Sequence, residues 1–544
     1  MLTNLAHLDS LRVRIAPPAT AGHTTYRLAE EPAVEVVWTY AEAGPDGYRN
    51  VGGGLVDGEE WGQGAFNADD IARAAVVYTR HWRATGADTS RAAARQLLRG
   101  LAYLQTVPAD DTDPRAGNVV LWQQPDGRLN PSADPVEHPD PSDGGESAWL
   151  ARTIWALGEG YAAFAGEEPP FAAFLRTRLR LAMGAVRRQV LRRYGQWRLV
   201  DETPTPAWLI ADGADLTGEA LLGLCAYTGE SGDEDARKVT EQLAEAVTAM
   251  RTGTPWTWPF GAVLPFGLSR TEWHGWAGLA PGALARVYEV CGDLAARDAA
   301  LADASSFTPH LLVAGGPVNL RVALPGAREA LTLDGVQLAY GAHSRLESLL
   351  ATARATGRPA LRTLAGVAGS WFFGNNPAGA PMYDPDTGVT YDGIDLPDSP
   401  GAVRRELPEG RGAVQRDLPP GRGIIHRDAG AESTIHGLLA MLALDGDPQA
   451  AAIARIAEPA VRIEGAEMHS MALADPATGA HLTLLRSLAT STRAADVVVP
   501  GDAPATVSVN DPAGEELEHY TTTAGRIRVL VAAGGFTTVV QPGE

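Results

Sequence analysis

Six segments of the chain place polar side chains, mostly carboxylates, at the start of an apolar helical pattern. One of them, HRDAGAESTIHGLLAMLAL at residues 426–444, puts Glu432, Ser433 and Thr434 just before four apolar turns. Across the six segments the polar positions are Asn67, Asp69 and Asp70; Asp143 and Glu146; Asp212 and Asp215; Glu272 and His274; Asp334 and Gln337; and Asp428 and Glu432. Two carboxylates that flank a bond can act as general acid and general base, and the pattern favours this chemistry.

Helix capping is a simpler explanation of the same residues. Acidic and hydroxyl side chains in a first turn satisfy unpaired N–H groups and complement the positive end of the helix dipole. One Asp or Ser per helix is enough for capping, whereas here a carboxylate recurs together with Trp or His. The recurrence favours a functional role for part of the set and a capping role for the rest.

Aromatic residues accompany these segments. Tryptophans lie in or just after them at Trp61, Trp149, Trp208, Trp273 and Trp276. An indole face can stack on a sugar ring, so a sugar site is expected, with core packing as the alternative. The two readings are balanced for Trp149 and Trp276, while Trp61 and Trp273 are predicted to lie in loops and contact substrate. His274 is interpreted as a hydrogen-bonding partner of the substrate or a second acid, or else as a structural residue.

Paired helices are predicted to hold these residues in place. Apolar-periodic segments come in pairs, each joined by a turn with a glycine that can stop one helix before the next begins, at Gly86, Gly166, Gly232, Gly292, Gly357 and Gly446. Six such hairpins predict twelve helices between about Asp69 and Glu458. Connections of variable length, rich in polar and aromatic residues, favour a closed ring over an open solenoid. The first helices of all hairpins then start at one end of the ring, where the carboxylates converge on a funnel.

Two motifs add a family resemblance. GGGLVDGEEWGQGAFNADDIAR lies near the start, and NPAGAPMYDPDTGVTYDGID followed by DAGAEST lies near the end. With the hairpin pattern they resemble the six-hairpin glycosidase superfamily and its (α/α)6 toroid, over roughly residues 50–458. More closely, it resembles a poorly characterised bacterial group with Asp-Asp-x-Ala-Arg and Gly-Ala-Glu-Ser-Thr motifs, often found beside sugar-handling genes.

The resemblance implies catalysis by two carboxylates, about 6.5–9.5 Å apart in inverting enzymes and about 5–5.5 Å apart in retaining ones. By motif position Glu432 would be the proton donor, and Asp69 and Asp70 would hold the nucleophilic water. The motif reads Asn-Ala-Asp-Asp instead of the Asp-Ala-Gly-Asp of related endoglucanases, and Asp57 is a rival base. We expect Asp69 at the N-cap, occupied by backbone N–H groups, and Asp70 at the first helical position with a freer side chain, which makes Asp70 the preferred base.

The loop YDPDTGVTYDGID, from Tyr383 to Asp395, is interpreted as a substrate-lining loop, with Tyr383 and Asp392 as contacts. A calcium loop is one alternative, although the EF-hand ligand pattern is incomplete, and a series of Asp/Gly turns is another. The Pro-, Gly- and Arg-rich residues 396–423 predict a mobile flap or a partly ordered insertion over the funnel. The predicted substrate-binding set is Asp57, Trp61, Glu146, Trp149, Asp212, Asp215, Trp273, His274, Tyr383 and Asp392.

Composition excludes several classes of partner. The 544 residues carry 45 basic and 66 acidic side chains, for a net charge of −21, which argues against nucleic acid or an anionic membrane surface. A neutral oligosaccharide or glycoside is the expected partner, with no metal and no cofactor. Only Cys225 and Cys291 occur, both in apolar helical stretches, and no secretory h-region or apolar run of about 18 residues is present. These features predict a cytoplasmic protein without disulfides, and they leave its oligomeric state open.

The predicted fold is mainly α. It comprises N-terminal lead-in strands (1–50), an (α/α)6 toroid catalytic domain of six helical hairpins (51–458) and a small C-terminal antiparallel β-sandwich domain (459–544), whose strands follow from a period-two pattern. The predicted function is that of a carbohydrate-active enzyme, a glycoside hydrolase with a two-carboxylate mechanism. The alternatives are a non-hydrolytic toroid enzyme (epimerase, lyase or cyclase) and a non-catalytic glycan-binding or scaffold protein.

Overall fold

Helix is the predominant secondary structure of the chain. The structure, a computed structural model, describes residues 1–56, 60–61, 63–110, 112–130, 143–276, 278–322, 330–396 and 423–543. Its α-helices are α1 Ala6–Leu11, α2 Ala68–Thr85, α3 Asp88–Leu104, α4 Ala148–Phe164, α5 Pro169–Gln189, α6 Ala214–Ser231, α7 Glu234–Ala249, α8 Ala280–Cys291, α9 Leu294–Ala302, α10 Thr308–Val313, α11 Ala339–Thr356, α12 Ala360–Gly369, α13 Ala431–Asp445 and α14 Pro448–Ala454. A π-helix, Asp303–Phe307, joins α9 to α10.

Six helices form a closed inner ring. In the order α2, α4, α6, α8, α11 and α13 each packs against the next, and α13 packs back against α2. Each inner helix also packs against the helix that follows it in the chain, which lies outside the ring. This arrangement agrees with the predicted six hairpins. Helices three places apart in the ring stand opposite each other, so α6 faces α13 and α4 faces α11.

The predicted glycine turns hold at four of the six hairpins. The residue after the first helix is in the left-handed region, which glycine adopts without strain, at Gly86, Gly232, Gly292 and Gly357. The prediction is wrong at Gly446, which has φ −81° and keeps the right-handed conformation. The next helix, α14, begins after Asp447, whose carboxylate accepts a hydrogen bond from Ala450 N–H. At Gly166 the preceding helix already ends on right-handed Ala165.

Two glycines set the distance between α4 and α6. A Cβ atom on Gly223 would lie 2.2 Å from the Ile154 carbonyl oxygen, and one on Gly158 would lie 2.0 Å from the Gly223 carbonyl oxygen. The two inner helices therefore touch backbone to backbone at this crossing.

The substitution Gly223→Ala is expected to lower the free energy of unfolding by about 2 kcal/mol, because overpacking a closed core costs about 1–3 kcal/mol. Gly229→Ala on the same helix is the matched control, since its Cβ atom would meet only the Val290 side chain, at 3.7 Å. The control should be neutral or stabilising by up to about 1 kcal/mol, as Ala is the better helix former. Urea unfolding measures both, and equal effects would contradict the close-approach argument.

Short strands frame the connections that lead into the inner helices. They are β1 Arg12–Ile15, β2 Val34–Val37, β3 Tyr40–Gly44, β4 Gly47–Val51, β5 Leu55–Val56, β6 Glu60–Trp61, β7 Phe66–Asn67, β8 Val119–Val120, β9 Trp122–Gln123, β10 Asp143–Gly144, β11 Trp197–Val200, β12 Thr203–Pro206, β13 Glu272–Trp273, β14 Asn319–Arg321, β15 Leu331–Asp334, β16 Gln337–Leu338, β17 Gly393–Asp395 and β18 Ile424–His426. They form two- and three-stranded antiparallel sheets.

The end of the chain is all β. Its strands are β19 Glu458–Glu464, β20 Met468–Asp475, β21 Ala480–Ser487, β22 Arg493–Val499, β23 Ala505–Asn510, β24 Glu516–Thr522, β25 Gly525–Val531 and β26 Phe536–Gln541. Six of them form one antiparallel sheet in the order β19-β20-β21-β26-β23-β24, while β22 pairs with β25. Leu482 and Phe536 join the core of the ring, and buried Arg486 donates to the carbonyl oxygens of Ser306 and Pro255. This β region therefore packs against the helices as a structural support.

Candidate active site

Arg73 lies at the centre of the site and uses all five of its N–H donors. On the first turns of α2 it donates through Nε to the Asp69 carbonyl oxygen, through Nη2 to Asp70 Oδ1 at 2.8 Å and Glu432 Oε2 at 3.1 Å, and through Nη1 to Glu432 Oε2 and His436 Nε2. Arg73 and Asp70 are each 1% exposed, whereas the Glu432 side chain is 49% exposed. The guanidinium therefore has no donor left for a ligand. It holds Glu432 at the end of the ring where the inner helices begin, which we call the mouth.

A second network crosses the ring beneath the mouth. Arg152 of α4 bonds to Asp69 Oδ2 at 2.7 Å and to Glu219 Oε2 of α6 at 2.9 Å. The Tyr340 hydroxyl of α11 donates to Glu219 Oε1 at 2.5 Å. Because α4 and α11 are opposite members of the ring, these side chains close its lumen and form a floor. Asp69 is the most exposed of them, with 15% of its side chain accessible.

A column of hydrogen bonds continues from the floor along the ring axis. His436 Nδ1 lies 3.0 Å from His343 Nδ1, and His343 Nε2 lies 2.7 Å from Glu347 Oε2, whose carboxylate also pairs with Arg80. Arginine only donates, so His436 Nε2 accepts from Arg73, and His436 Nδ1–H donates to His343 Nδ1. Burial and the Arg73 charge lower the pKa of His436 well below its usual value. The network therefore assigns both imidazoles as neutral, with a fixed tautomer for each.

On the opposite side of the mouth, Asp215 and His274 lie side by side. Asp215, in the first turn of α6, has its Oδ2 3.9 Å from His274 Nε2. Burial raises the pKa of Asp215 to about 7, and burial lowers the pKa of His274 to about 4. The His274 ring stacks on Trp276 at 4.3 Å, and Trp276 is 43% exposed. A carboxyl that titrates near pH 7, a neutral imidazole and an open aromatic face are thus adjacent.

Two further carboxyls near Glu432 have raised pKa values. Burial raises the pKa of Asp70 to about 6, against the opposing effect of Arg73. Burial also raises the pKa of Asp392 to about 7, although the Ser433 hydroxyl, 2.6 Å from Asp392 Oδ1, favours its charged form. Of these two, Asp392 titrates near neutral pH, whereas Asp70 is mostly ionised at pH 7 and lies buried against Arg73.

Asp215 makes stability depend on pH. Its pKa of about 7 in the folded state exceeds the unfolded value of about 3.9. The folded state binds the proton more tightly, so this contribution is fully present below about pH 4 and is lost towards pH 7, at up to about 1.4 kcal/mol per pH unit. We expect Asp215→Asn to flatten this decline, as measured by urea unfolding across the window. A decline as steep as in the wild type would contradict the raised pKa.

Glu146 and Asp212 do not join this network. They line a separate open depression of ≈ 470 Å³, the side cleft, together with Arg193, Arg198, Ala207 and Ala211. Glu146 pairs with Arg193 through both carboxylate oxygens, and Asp212 Oδ1 pairs with Arg198 at 2.5 Å. The predicted convergence of all the polar helix starts on one pocket is therefore observed only in part.

The assignment of the first helix cap is wrong. Asn67, not Asp69, is the N-cap of α2, and its Oδ1 accepts from Asp70 N–H at 2.6 Å. Asp69 is consequently free to pair with Arg152, whereas Asp70 turns into the core behind Arg73 and meets no solvent. Glu432 is also not a cap, because Gly430 occupies the N-cap of α13 without a side-chain hydrogen bond.

Several predicted substrate contacts lie elsewhere. Trp273 is 1% exposed and packs on Phe307 and Arg345, so it cannot stack on a sugar in this structure. Tyr383 is 2% exposed, and its hydroxyl donates to the Leu2 carbonyl oxygen, which anchors the start of the chain. Partly buried Trp149 donates from Nε1 to the Val119 carbonyl oxygen. The prediction for Asp57 falls outside the described residues, and of Trp61 only the backbone, in β6, is described.

The Asp-rich loop contains separate contacts and not one ligand shell. Asp384 accepts from the Thr387 hydroxyl and the Asp386 N–H in a tight turn, whereas Asp395 pairs with His426 at 2.8 Å. In the described parts of the chain no group of three or more His, Cys, Asp or Glu side chains could hold a metal ion. Of the proposed flap, residues 397–422 lie outside the described chain.

Six residues of the site were not assigned from the sequence: Arg73, Arg152, Glu219, Tyr340, His343 and His436. For two of them, His436 and Glu219, spacing along the helix was an available signal. His436 follows Glu432 by four residues, and Glu219 follows Asp215 by four, which places each pair on one helix face. A polar residue one turn inside a helix that is apolar all round must find a buried partner.

Comparisons with known proteins give only distant likenesses. The chain matches neither a protein-family model nor a curated protein sequence. Among solved structures, cellobiose 2-epimerase from Spirochaeta thermophila has a TM-score of 0.48 and 11% identity over 77% of this chain and 90% of that chain. A sugar epimerase from a ruminal bacterium has 0.46 and 13% over 73% and 92%. A GH127 β-L-arabinofuranosidase from Geobacillus stearothermophilus has 0.40 and 13% over 87% and 72%. With such low values, the reaction has to be inferred from the chain's own side chains.

Both cysteines, Cys225 and Cys291, are free thiols in the structure. Among the described helices, none is both long and apolar enough to cross a membrane.

Proposed function

We propose that the chain is a carbohydrate-active enzyme that cleaves a glycosidic bond with two carboxyl groups, Glu432 as the ionised group and Asp215 as the proton donor. The observation that carries this proposal is the contrast between these two carboxyls, which belong to opposite helices of one ring and have different environments. Two carboxyls whose surroundings separate their protonation states are the usual basis of an acid and base pair.

Glu432 suits the ionised role. Two hydrogen bonds from Arg73 converge on its Oε2, while half of its side chain remains open to solvent. These charge-assisted bonds fix the position of Oε2 and leave the rest of the carboxylate open to substrate or water. The role of Asp70 in this proposal is to hold Arg73 from behind, because Asp70 itself is buried. This reverses the sequence-based assignment, in which Glu432 donates the proton and Asp70 is the base.

Asp215 suits the donor role because a pKa of about 7 keeps its proton available near neutral pH. Arg152 interacts electrostatically with both carboxyls. Its positive charge lowers the pKa of Asp215, while Glu432 raises the pKa of Arg152. In this proposal both carboxyls act on a sugar bound above the floor.

The substrate class follows from the open aromatic surface next to Asp215. Trp276 stacks on His274 and exposes 43% of its surface at the mouth, where an apolar sugar face could lie. A neutral sugar also suits a chain with a net charge of −21. In this proposal residues 51–458 form the catalytic domain and 459–544 a β-sandwich that supports it, and the protein acts in the cytoplasm.

The proposal is tested with a panel of aryl and unactivated glycosides. Released sugar is measured for the wild type, for Glu432→Gln and for Asp215→Asn, with thermal unfolding to check that each variant is folded. We expect cleavage of at least one glycoside by the wild type and a large loss in both variants. Cleavage that survives both substitutions would refute the assignment.

A second candidate function, sugar epimerisation or isomerisation, is favoured by one observation. His274 is neutral near pH 7 and lies 3.9 Å from Asp215, so the pair could remove a proton and return one. Incubation of free reducing sugars in D2O tests this alternative, because proton exchange at a carbon next to the carbonyl leaves deuterium in the product. Deuterium incorporation without glycoside cleavage would replace the first proposal with this one.

A further inference from the structure

The side cleft is a built polar surface beside the candidate active site. It lies where the chain enters α4 and α6, and its lining comes from both connections and from the β11–β12 hairpin region. Its volume of ≈ 470 Å³ falls within the range of about 300–1,000 Å³ that is usual for small-molecule sites. Asp212, on its wall, precedes Asp215 by three residues, so the cleft and the proposed proton donor share one short segment.

The charges of the cleft balance. Arg193 pairs with Glu146, and Arg198 pairs with Asp212, which leaves two cations and two anions on one open surface. A balanced surface offers little attraction to a net anion or cation. It offers donors and acceptors instead, which suits a neutral ligand rich in hydroxyl groups.

The Arg198 side chain is fixed in place at the wall of the cleft. Arg198 Nε is buried and has no hydrogen-bond partner among the described residues, although both bonds of Arg198 Nη2, to Asp212 and to the Gly267 carbonyl oxygen, fix the guanidinium in place. Because Nε itself is buried, a ligand in the cleft would meet the exposed part of the side chain, of which 30% is accessible.

The backbone of the cleft is strained. Ala211 and Asp212 have φ values of 49° and 55°, in the left-handed region that residues with a side chain rarely adopt. Such strain persists where the surrounding structure holds it, and it concentrates at ligand-binding sites. Asp212 carries the carboxylate that pairs with Arg198, immediately before α6 begins.

We propose that the side cleft binds a second, neutral sugar unit of the substrate, so that the enzyme prefers oligosaccharides to single sugars. The identity of the ligand rests on the proposed function, while the existence of the binding surface rests on the cleft itself. Arg193 and Arg198 donate to sugar hydroxyls, and Glu146 and Asp212 accept from them. None of the four takes part in bond cleavage.

Binding is tested by saturation-transfer NMR and titration with neutral gluco- and manno-oligosaccharides of one to four units, and with digalacturonate as the anionic probe. The variants are Arg198→Ala, which removes donors, and Ala207→Phe, which fills the cleft and keeps both ion pairs. Arg180→Ala, which breaks a surface pair with Asp233 between α5 and α7, is the matched control. The preference for longer neutral ligands is expected to fall about tenfold in both cleft variants and to persist in the control.

The possible results separate the two proposals. If both cleft variants keep the preference for longer ligands, the side cleft does not bind a second sugar unit. The proposed glycoside cleavage is unaffected by that result. Cleavage of single-sugar aryl glycosides without any binding of longer sugars leads to the same conclusion. If digalacturonate binds more tightly than the neutral sugars, the proposal that the ligand is neutral is wrong. If sugars bind and the cleft variants weaken that binding, but no glycoside is cleaved, the side cleft is a sugar-binding site and the proposed reaction is wrong.

Discussion

Replacing Glu432 with Gln is expected to lower the turnover of a glycoside by about 10²–10⁴-fold while leaving KM within a few-fold of the wild-type value. The substitution is nearly isosteric and keeps one oxygen for the Arg73 bonds, but it removes the negative charge that would activate water or stabilise a cationic transition state. Steady-state kinetics on activated and unactivated glycosides measure the loss. A better leaving group should not recover the rate, because the missing group acts on the sugar and not on the leaving oxygen.

The control for this prediction is Glu234→Gln. Glu234 also lies in the first turn of a helix, α7, and pairs with an arginine, Arg237, but it is on the outer surface with 84% of its side chain exposed. It therefore reproduces the charge and helix-dipole effects of Glu432 without its place in the ring. If Glu432→Gln changes turnover no more than Glu234→Gln does, Glu432 is a helix-end charge and the proposed mechanism is wrong.

The paired helices were accessible from the sequence because their signals are local. An apolar period of 3.6 residues and a glycine after the last turn depend on neighbours in the chain, and Gly86, Gly232, Gly292 and Gly357 adopt the expected left-handed conformation. Local reasoning failed where several side chains compete for one role. The run Asn67-Ala-Asp69-Asp70 offers three possible caps, and the choice of Asn67 sends Asp69 to Arg152 and Asp70 into the core.

The partners of the carboxyls could not be read in the same way, because they come from other helices. Glu432 and Arg73 are 359 residues apart in the chain, and Tyr340 reaches Glu219 across 121 residues. A sequence pattern assigns residues to a helix face, but the order of helices around the ring decides which faces meet. Trp273 illustrates the same limit. It is in a connecting segment, as expected, yet strand pairing between β13 and β14 carries its ring into the core.

The second large effect is expected for Asp215→Asn, and it should differ in kind from that of Glu432→Gln. Without a proton donor, turnover of a glycoside with a poor leaving group should fall by about 10²–10⁴-fold. A dinitrophenyl glycoside should recover most of the rate, because its leaving group departs without a proton.

The pH profile provides an independent check on Asp215. An acid with a raised pKa works below that pKa, so wild-type kcat/KM should fall as the pH rises through about 7. In Asp215→Asn, assayed with the activated substrate, this alkaline decline should disappear. Recovery by the activated substrate in Glu432→Gln instead of Asp215→Asn would restore the sequence-based assignment, in which the helix of α13 supplies the acid.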